Sequence, residues 1–188
     1  MKEVEAVKSI EEINTISVLL SKHHSQQMSD IWNLGINMAL RISDLLSIKF
    51  SGIDLNKNRV TLTEAKTKKV AVIDLNVKAQ QIINKIRVEN PEAIYLFQST
   101  SSRNRTNKAP KPLTRQAVGQ AFKEVGETLD ISLSTHSMRK TRGYHIYKNT
   151  NDIAKVMDML RHSSVAVTLR YIGITQEDRA RDYNEHVL

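Results

Sequence analysis

The sequence predicts a mostly α-helical protein with a small antiparallel β-sheet, an α+β class, on three observations. Apolar residues recur at helical spacing over both ends of the chain. Between residues 60 and 75 the pattern changes to alternation around a basic turn. The 188 residues, 40% hydrophobic, suit a single domain with a real core.

In chain order, Ser9 followed three residues later by Glu12 forms a capping box. Ile10, Ile13, Ile16, Leu19 and Leu20 then give a first helix its apolar stripe. A second helix is expected from Ser29 to Ile48, burying Ile31, Leu34, Met38, Leu45 and Ile48. Val60 and Leu62, then Val70, Val72 and Leu75, read as the apolar positions of two short strands. The hairpin turn between them is Glu64-Ala65-Lys66-Thr67-Lys68-Lys69. Helical spacing returns from Val77 to about Asn90 and stops before Pro91, as the residue before a proline is biased away from helix. Ile94-Tyr95-Leu96-Phe97 suggests a third strand. Residues 98–113 are rich in Ser, Asn, Pro, Lys and Arg; Arg103, Arg105, Lys108 and Lys111 make this either a DNA-touching loop or a solvated basic one. Four helical segments follow near 114–129, 137–148, 151–161 and 163–173, then a short amphipathic tail.

Twenty-eight Lys+Arg against 20 Asp+Glu give a formal charge of +8. With a pI near 9.7, this fits a polyanionic partner or an ordinary basic protein. There is no cysteine, which excludes disulfides, thiolate chemistry and cysteine-based zinc sites. No apolar run reaches the about 18 residues of a membrane span. The first residues, Met1-Lys2-Glu3-Val4-Glu5, carry acids and no apolar stretch, which argues against a secretory signal. Acidic clusters, His-Glu-x-x-His and phosphate-binding glycine loops are all missing.

Six residues stand out for phosphate chemistry: Arg41, Lys66, His136, Arg139, His162 and Tyr171. Singly each has a plain structural reading. Arg41 could pair with Asp44 along a helix, Lys66 could solubilise a turn, and Arg139 could be one more solvated cation. The histidines could cap helices, and Tyr171 could pack. Together they fall into boxes. The first is Ala39-Leu40-Arg41-Ile42-Ser43-Asp44-Leu45-Leu46 and the second Thr135-His136-Ser137-Met138-Arg139. The third is Leu160-Arg161-His162-Ser163-Ser164, followed by Thr168-Leu169-Arg170-Tyr171, with Tyr171 nine positions after His162.

In this ordered set, over roughly residues 8 to 180, the chain resembles the catalytic domain of the tyrosine recombinases, the phage integrase family. The resemblance implies that family's DNA breaking-rejoining fold and a site-specific recombinase acting in integration, excision or inversion. Arg41 and Arg139 would clamp the scissile phosphate, His162 would add a hydrogen bond to it, and Tyr171 would attack phosphorus. His136 would accept the phenol proton, with the two arginines favouring phenolate. Lys66 would protonate the departing 5′-oxygen, and Asp44 would orient the charged cluster. Neither cofactor nor metal is expected, since arginines take the electrostatic role. Further DNA contacts are expected from Lys68, Lys69, Arg103, Arg105, Lys108, Lys111, Arg115, Lys140 and Arg161. The implied partner is double-stranded DNA, bound by a homotetramer on paired sites, with a monomer without DNA and an accessory DNA-bending protein as further expectations. A cytoplasmic, nucleoid-associated setting in a bacterium or phage follows. The alternatives are relaxation of supercoils in the manner of a type IB topoisomerase, and a DNA-binding regulator that does not cut.

Three positions depart from the family pattern: Ala39 and Arg161 stand where glycine is usual, and Lys140 where many relatives have histidine. A single catalytic domain over 1–188 is expected without the family's N-terminal core-binding domain, as a natural short recombinase or an excised piece. The tail, 172–188, would form a helix that is exchanged between protomers or folds back on its own domain.

Overall fold

A computed structural model of the chain describes residues 4–100, 109–174 and 184. Eight α-helices and a three-stranded sheet make up the described part. Two helices, α1 (Ile10–His23) and α2 (Gln26–Met38), pack together near the start of the chain. Ser9 and Ser25 cap them by accepting from the N–H three residues on, at 3.3 Å in each case. A short α3 (Ile42–Leu46) follows, then β1 (Ile53–Asp54), β2 (Arg59–Thr63) and β3 (Val70–Asp74) in antiparallel order β1-β2-β3. Next come α4 (Val77–Glu89), α5 (Arg115–Thr128), α6 (Ser137–Thr150), α7 (Ile153–Leu160) and α8 (Val165–Tyr171).

The expected second helix is two helices. It breaks at Ala39, whose φ of 52° and ψ of 26° lie in the left-handed region. Apolar spacing alone could not show the break, because Leu40, Ile42, Leu45 and Ile48 stay buried on the far side of it. The strand pairing also differs in face. Val60 pairs with Ile73 and Leu62 with Ala71, so Ala71 turns inward while Val70 and Val72 are 69% and 55% exposed. A run of four apolar residues carries no alternation, and register fixed the face instead. Residues 94–97 do not form a strand. Tyr95 bridges to Lys49, while Leu96 and Phe97 fill the core; the third strand is Ile53–Asp54.

Two hydrophobic clusters result. The larger joins α1 to α5, the sheet and Met138, around Trp32 and Phe122, whose rings meet edge-on at 5.6 Å. The smaller consists of Val156, Leu160, Ile172 and Ile174, with Tyr144, Tyr147, Leu169 and Tyr171 packed against it. It forms a lobe of α7 and α8 standing on α6.

Among the described residues no helix is long and apolar enough to cross a membrane. Arg103, Arg105, Lys108 and nearly all of the tail lie outside the described residues.

Candidate active site

Two left-handed helix ends build the centre of the site. α2 ends at Ala39 and α7 ends at Arg161 (φ 54°, ψ 51°). These are the two positions where glycine is usual, and the backbone needs positive φ at both. The turns aim two carbonyls at one side chain. Arg139, only 6% exposed, donates from Nη1 to the Ala39 oxygen at 2.5 Å and from Nη2 to the Leu160 oxygen at 2.9 Å. It thereby ties the large core to the lobe. Burial weighs against its charge, and Tyr171 is the neighbour that most favours it.

Arg41 sits at the start of α3 with its side chain 26% exposed, 3.5 Å from Glu64 Oε1 and 4.0 Å from Asp44 Oδ2. Asp44 is fully buried, and its Oδ1 accepts the Ala65 N–H at 2.8 Å. Its Oδ2 has no hydrogen-bond partner among the described residues. Asp44 therefore anchors the hairpin turn to α3 while facing Arg41.

Tyr171 is the last residue of α8 and half-buried. The His162 ring meets it edge-on, with centroids 5.0 Å apart and planes at 86°. Thr168 Oγ1 donates to the Ser164 oxygen at 2.7 Å, so it must accept from His162 Nδ1, 3.2 Å away. That hydrogen bond assigns the Nδ1–H tautomer and leaves Nε2 able to accept a proton. Burial, with Arg139 and Arg41, keeps the His162 pKa below its ordinary value. Burial pushes the Tyr171 phenol up, and the opposing pull of Arg139 and Arg41 does not overcome it. The two arginines thus act in the expected direction, toward phenolate, but burial outweighs them in the DNA-free protein.

His136 is exposed just before α6, its pKa lowered by partial burial of the ring and then by Arg139, Lys140, Arg115 and Arg41. The structure gives it no contact with the Tyr171 ring; that place belongs to His162. Lys66 is exposed on the hairpin turn, with no hydrogen bond or ion pair to the cluster among the described residues.

The flanking cations divide into two groups. Lys68, Lys69, Lys111 and Arg115 are exposed, Arg115 on the first turn of α5. Lys140 and Arg161 each already hold a protein partner, Lys140 from a buried position and Arg161 from an exposed one. Lys140 is 9% exposed, donates to the Val4 oxygen at 2.6 Å, and lies 5.3 Å from the Tyr171 ring centroid. Arg161 is paired through Nη1 with Glu64 Oε1. The Glu64 carboxylate that pairs with Arg161 is buried.

Glu64 and Thr168 were not picked out from the sequence. Glu64, 3% exposed, gathers the Thr67 hydroxyl at 2.5 Å, Arg41 and Arg161. The Thr67 bond, and after it Arg161, Arg41 and Arg139, hold its carboxyl below the ordinary range despite burial. Its signal was present, a lone acid opening a basic turn. No group of three His, Cys, Asp or Glu residues suited to a metal occurs among the described residues.

The fold and site define a class: this is the architecture of tyrosine recombinase catalytic domains. The solved structure of XerA recombinase superposes with a TM-score of 0.74 at 17% identity, over 100% of this chain and 66% of that one. A lambda integrase dimer bound to a core site superposes at 0.69 and 17% identity, over 96% of this chain and 50% of that one. The chain belongs to the phage integrase family, whose model matches residues 5–178. It is 35% identical to the probable integrase/recombinase YoeC of Bacillus subtilis (strain 168), over 96% of this chain and 95% of the relative. Against several other curated relatives the chain spans about half their length.

Proposed function

We propose that the chain cleaves and rejoins double-stranded DNA at specific sites through a covalent bond between Tyr171 and a 3′-phosphate. The observation that carries this reading is the His162 ring meeting the Tyr171 ring edge-on beside the Arg139 guanidinium, with Arg41 close enough to act on both electrostatically. In-line attack forms the Tyr Oη–phosphorus bond and breaks the bond from phosphorus to the 5′-oxygen. The phenol proton passes to a neutral histidine. His162, whose ring meets the Tyr171 ring, is one acceptor, and exposed His136 is the other. Lys66 donates a proton to the departing 5′-oxygen, which requires its turn to close on the DNA. Charge growing on the non-bridging oxygens falls to the free N–H groups of Arg139 and Arg41. Rejoining reverses the same steps, since the phosphotyrosine conserves the broken bond.

The exposed Lys68, Lys69, Lys111 and Arg115 supply phosphate contacts that position the duplex. Exchange between two sites calls for four protomers around two duplexes.

A suicide DNA site, nicked so that the cleaved product cannot religate, tests the reading on a denaturing gel. Wild type should give a covalent adduct and Tyr171→Phe none. A protein that binds such a site without forming the adduct is a regulator, and the proposal fails. Relaxation of plasmids lacking any special site would point to a topoisomerase instead.

A further inference from the structure

Arg161 occupies a backbone conformation that glycine adopts freely and arginine does not, at φ 54° and ψ 51°. Such strain persists only where surrounding contacts over-determine it. The contact here is with Glu64, whose side chain is 4% exposed and so has little access to water as an alternative partner. Thr67 holds Oε2 of that carboxylate, leaving Oε1 to Arg161 and Arg41. Glu64 and Arg161 belong to different parts of the molecule. Glu64 opens the turn that carries Lys66, pinned to the large core through Ala65 and Asp44. Arg161 directly precedes His162 in the lobe, whose apolar cluster is its own. The lobe rests on α6 around Gly143 and is tied by Arg139 to Ala39. Among the described residues no other hydrogen bond or ion pair runs directly between the 64–69 turn and the lobe.

We propose that the Glu64–Arg161 ion pair is a latch that holds the Tyr171 lobe against the turn carrying Lys66, making Arg161 a positioning residue for strand cleavage. The inference rests on the roles given above to Tyr171 and Lys66. Attack at phosphorus and protonation of the leaving oxygen occur on opposite sides of one phosphate, so the two parts must be held in register. Loss of register by about an ångström is enough to slow such a step severely. Where a glycine would leave turn and lobe joined only through their shared neighbours, arginine links them directly.

Three variants of the full chain test this: Arg161→Gly, Arg161→Lys and Glu64→Gln. Glycine suits the left-handed position, so the first removes the latch without straining the fold. In DNA-free protein, Arg161→Gly should raise amide hydrogen exchange across residues 64–69 about ten-fold, while α1 and α2 keep their protection. On the suicide site its adduct should form about ten-fold more slowly at saturating DNA, with affinity little changed. Arg161→Lys should recover part of both, and Glu64→Gln combined with Arg161→Gly should be no slower than the worse single variant. Unaltered exchange in the turn overturns the latch whether or not the wild type cuts DNA. Weaker DNA binding with an unchanged cleavage rate also overturns it, and makes Arg161 a DNA contact. A wild type that forms no adduct defeats the cleavage reading alone, and the exchange result still decides the latch.

Discussion

Arg139 shows how one residue serves both fold and chemistry. Its guanidinium satisfies two buried carbonyls, those of Ala39 and Leu160, and still has N–H groups to offer a phosphate. Arg139→Ala should therefore lose adduct formation and also cost about 3 kcal/mol in urea unfolding, because two charge-assisted hydrogen bonds disappear. Arg41 holds no backbone carbonyl, and its partners, the Glu64 and Asp44 carboxylates, each keep another bond. Removing it leaves Glu64 paired with Arg161 and Thr67, so Arg41→Ala should abolish the adduct at a cost of only about 1 kcal/mol. Equal stability losses would contradict this division. The histidines set a pH dependence. His136 and His162 both have lowered pKa values when folded, so the unfolded chain binds protons more readily. The stability they contribute is complete above pH 6.5, the ordinary histidine value, and is lost as pH falls toward and through their folded values. Melting temperature should decline on acidification over that window, and His162→Asn should flatten the decline. Tyr171 has the opposite sign: its contribution is present below pH 10.0 and lost as pH rises through its higher folded value.

Among the elements, the helix ends matter more than the helix interiors. Ser9, Ser25, Asn76, Thr114, Asp152 and Ser164 each accept an N–H three residues on, and one of these caps, Ser9 with Glu12, is evident from sequence. The left-handed ends at Ala39 and Arg161 are not, because neither residue type advertises positive φ. They were visible only as two odd replacements of glycine, and the structure gives both one physical reason. Asp44 acts at the same level, linking α3 to the lysine turn by the Ala65 N–H. Asp44→Ala should cost about 2 kcal/mol, leave that N–H unpaired, and slow adduct formation by loosening the turn. Asp44→Asn, which keeps an oxygen in place, should recover most of the stability; urea unfolding of the pair is the check.

Across the whole molecule, two apolar clusters imply two levels of cooperativity. The lobe that carries His162 and Tyr171 rests on Gly143, where an added Cβ would come within 2.6 Å of Ile172 and 3.3 Å of Leu160. Gly143→Ala should therefore displace α8, and adduct formation should fall much more than DNA affinity does. Ile172→Ala should destabilise the lobe by about 3 kcal/mol. Amide exchange should rise in α7 and α8 ahead of α1 and α2. Uniform loss of protection across the chain would show the two clusters melting as one.

The sequence by itself determined the helical class, the hairpin and the set of candidate residues for phosphate chemistry, because periodicity and residue type are local properties. It also located the order of Arg41, Lys66, His136, Arg139, His162 and Tyr171 along the chain. Only the tertiary structure decided which of them meet. It brought His162 rather than His136 against Tyr171, left Lys66 out on its turn, and gave Lys140 to the Val4 carbonyl and Arg161 to the buried Glu64 carboxylate. It decided the balance on Tyr171 as well. Burial and the arginines act in opposite directions there, and which prevails depends on distances and packing that no spacing of residues encodes.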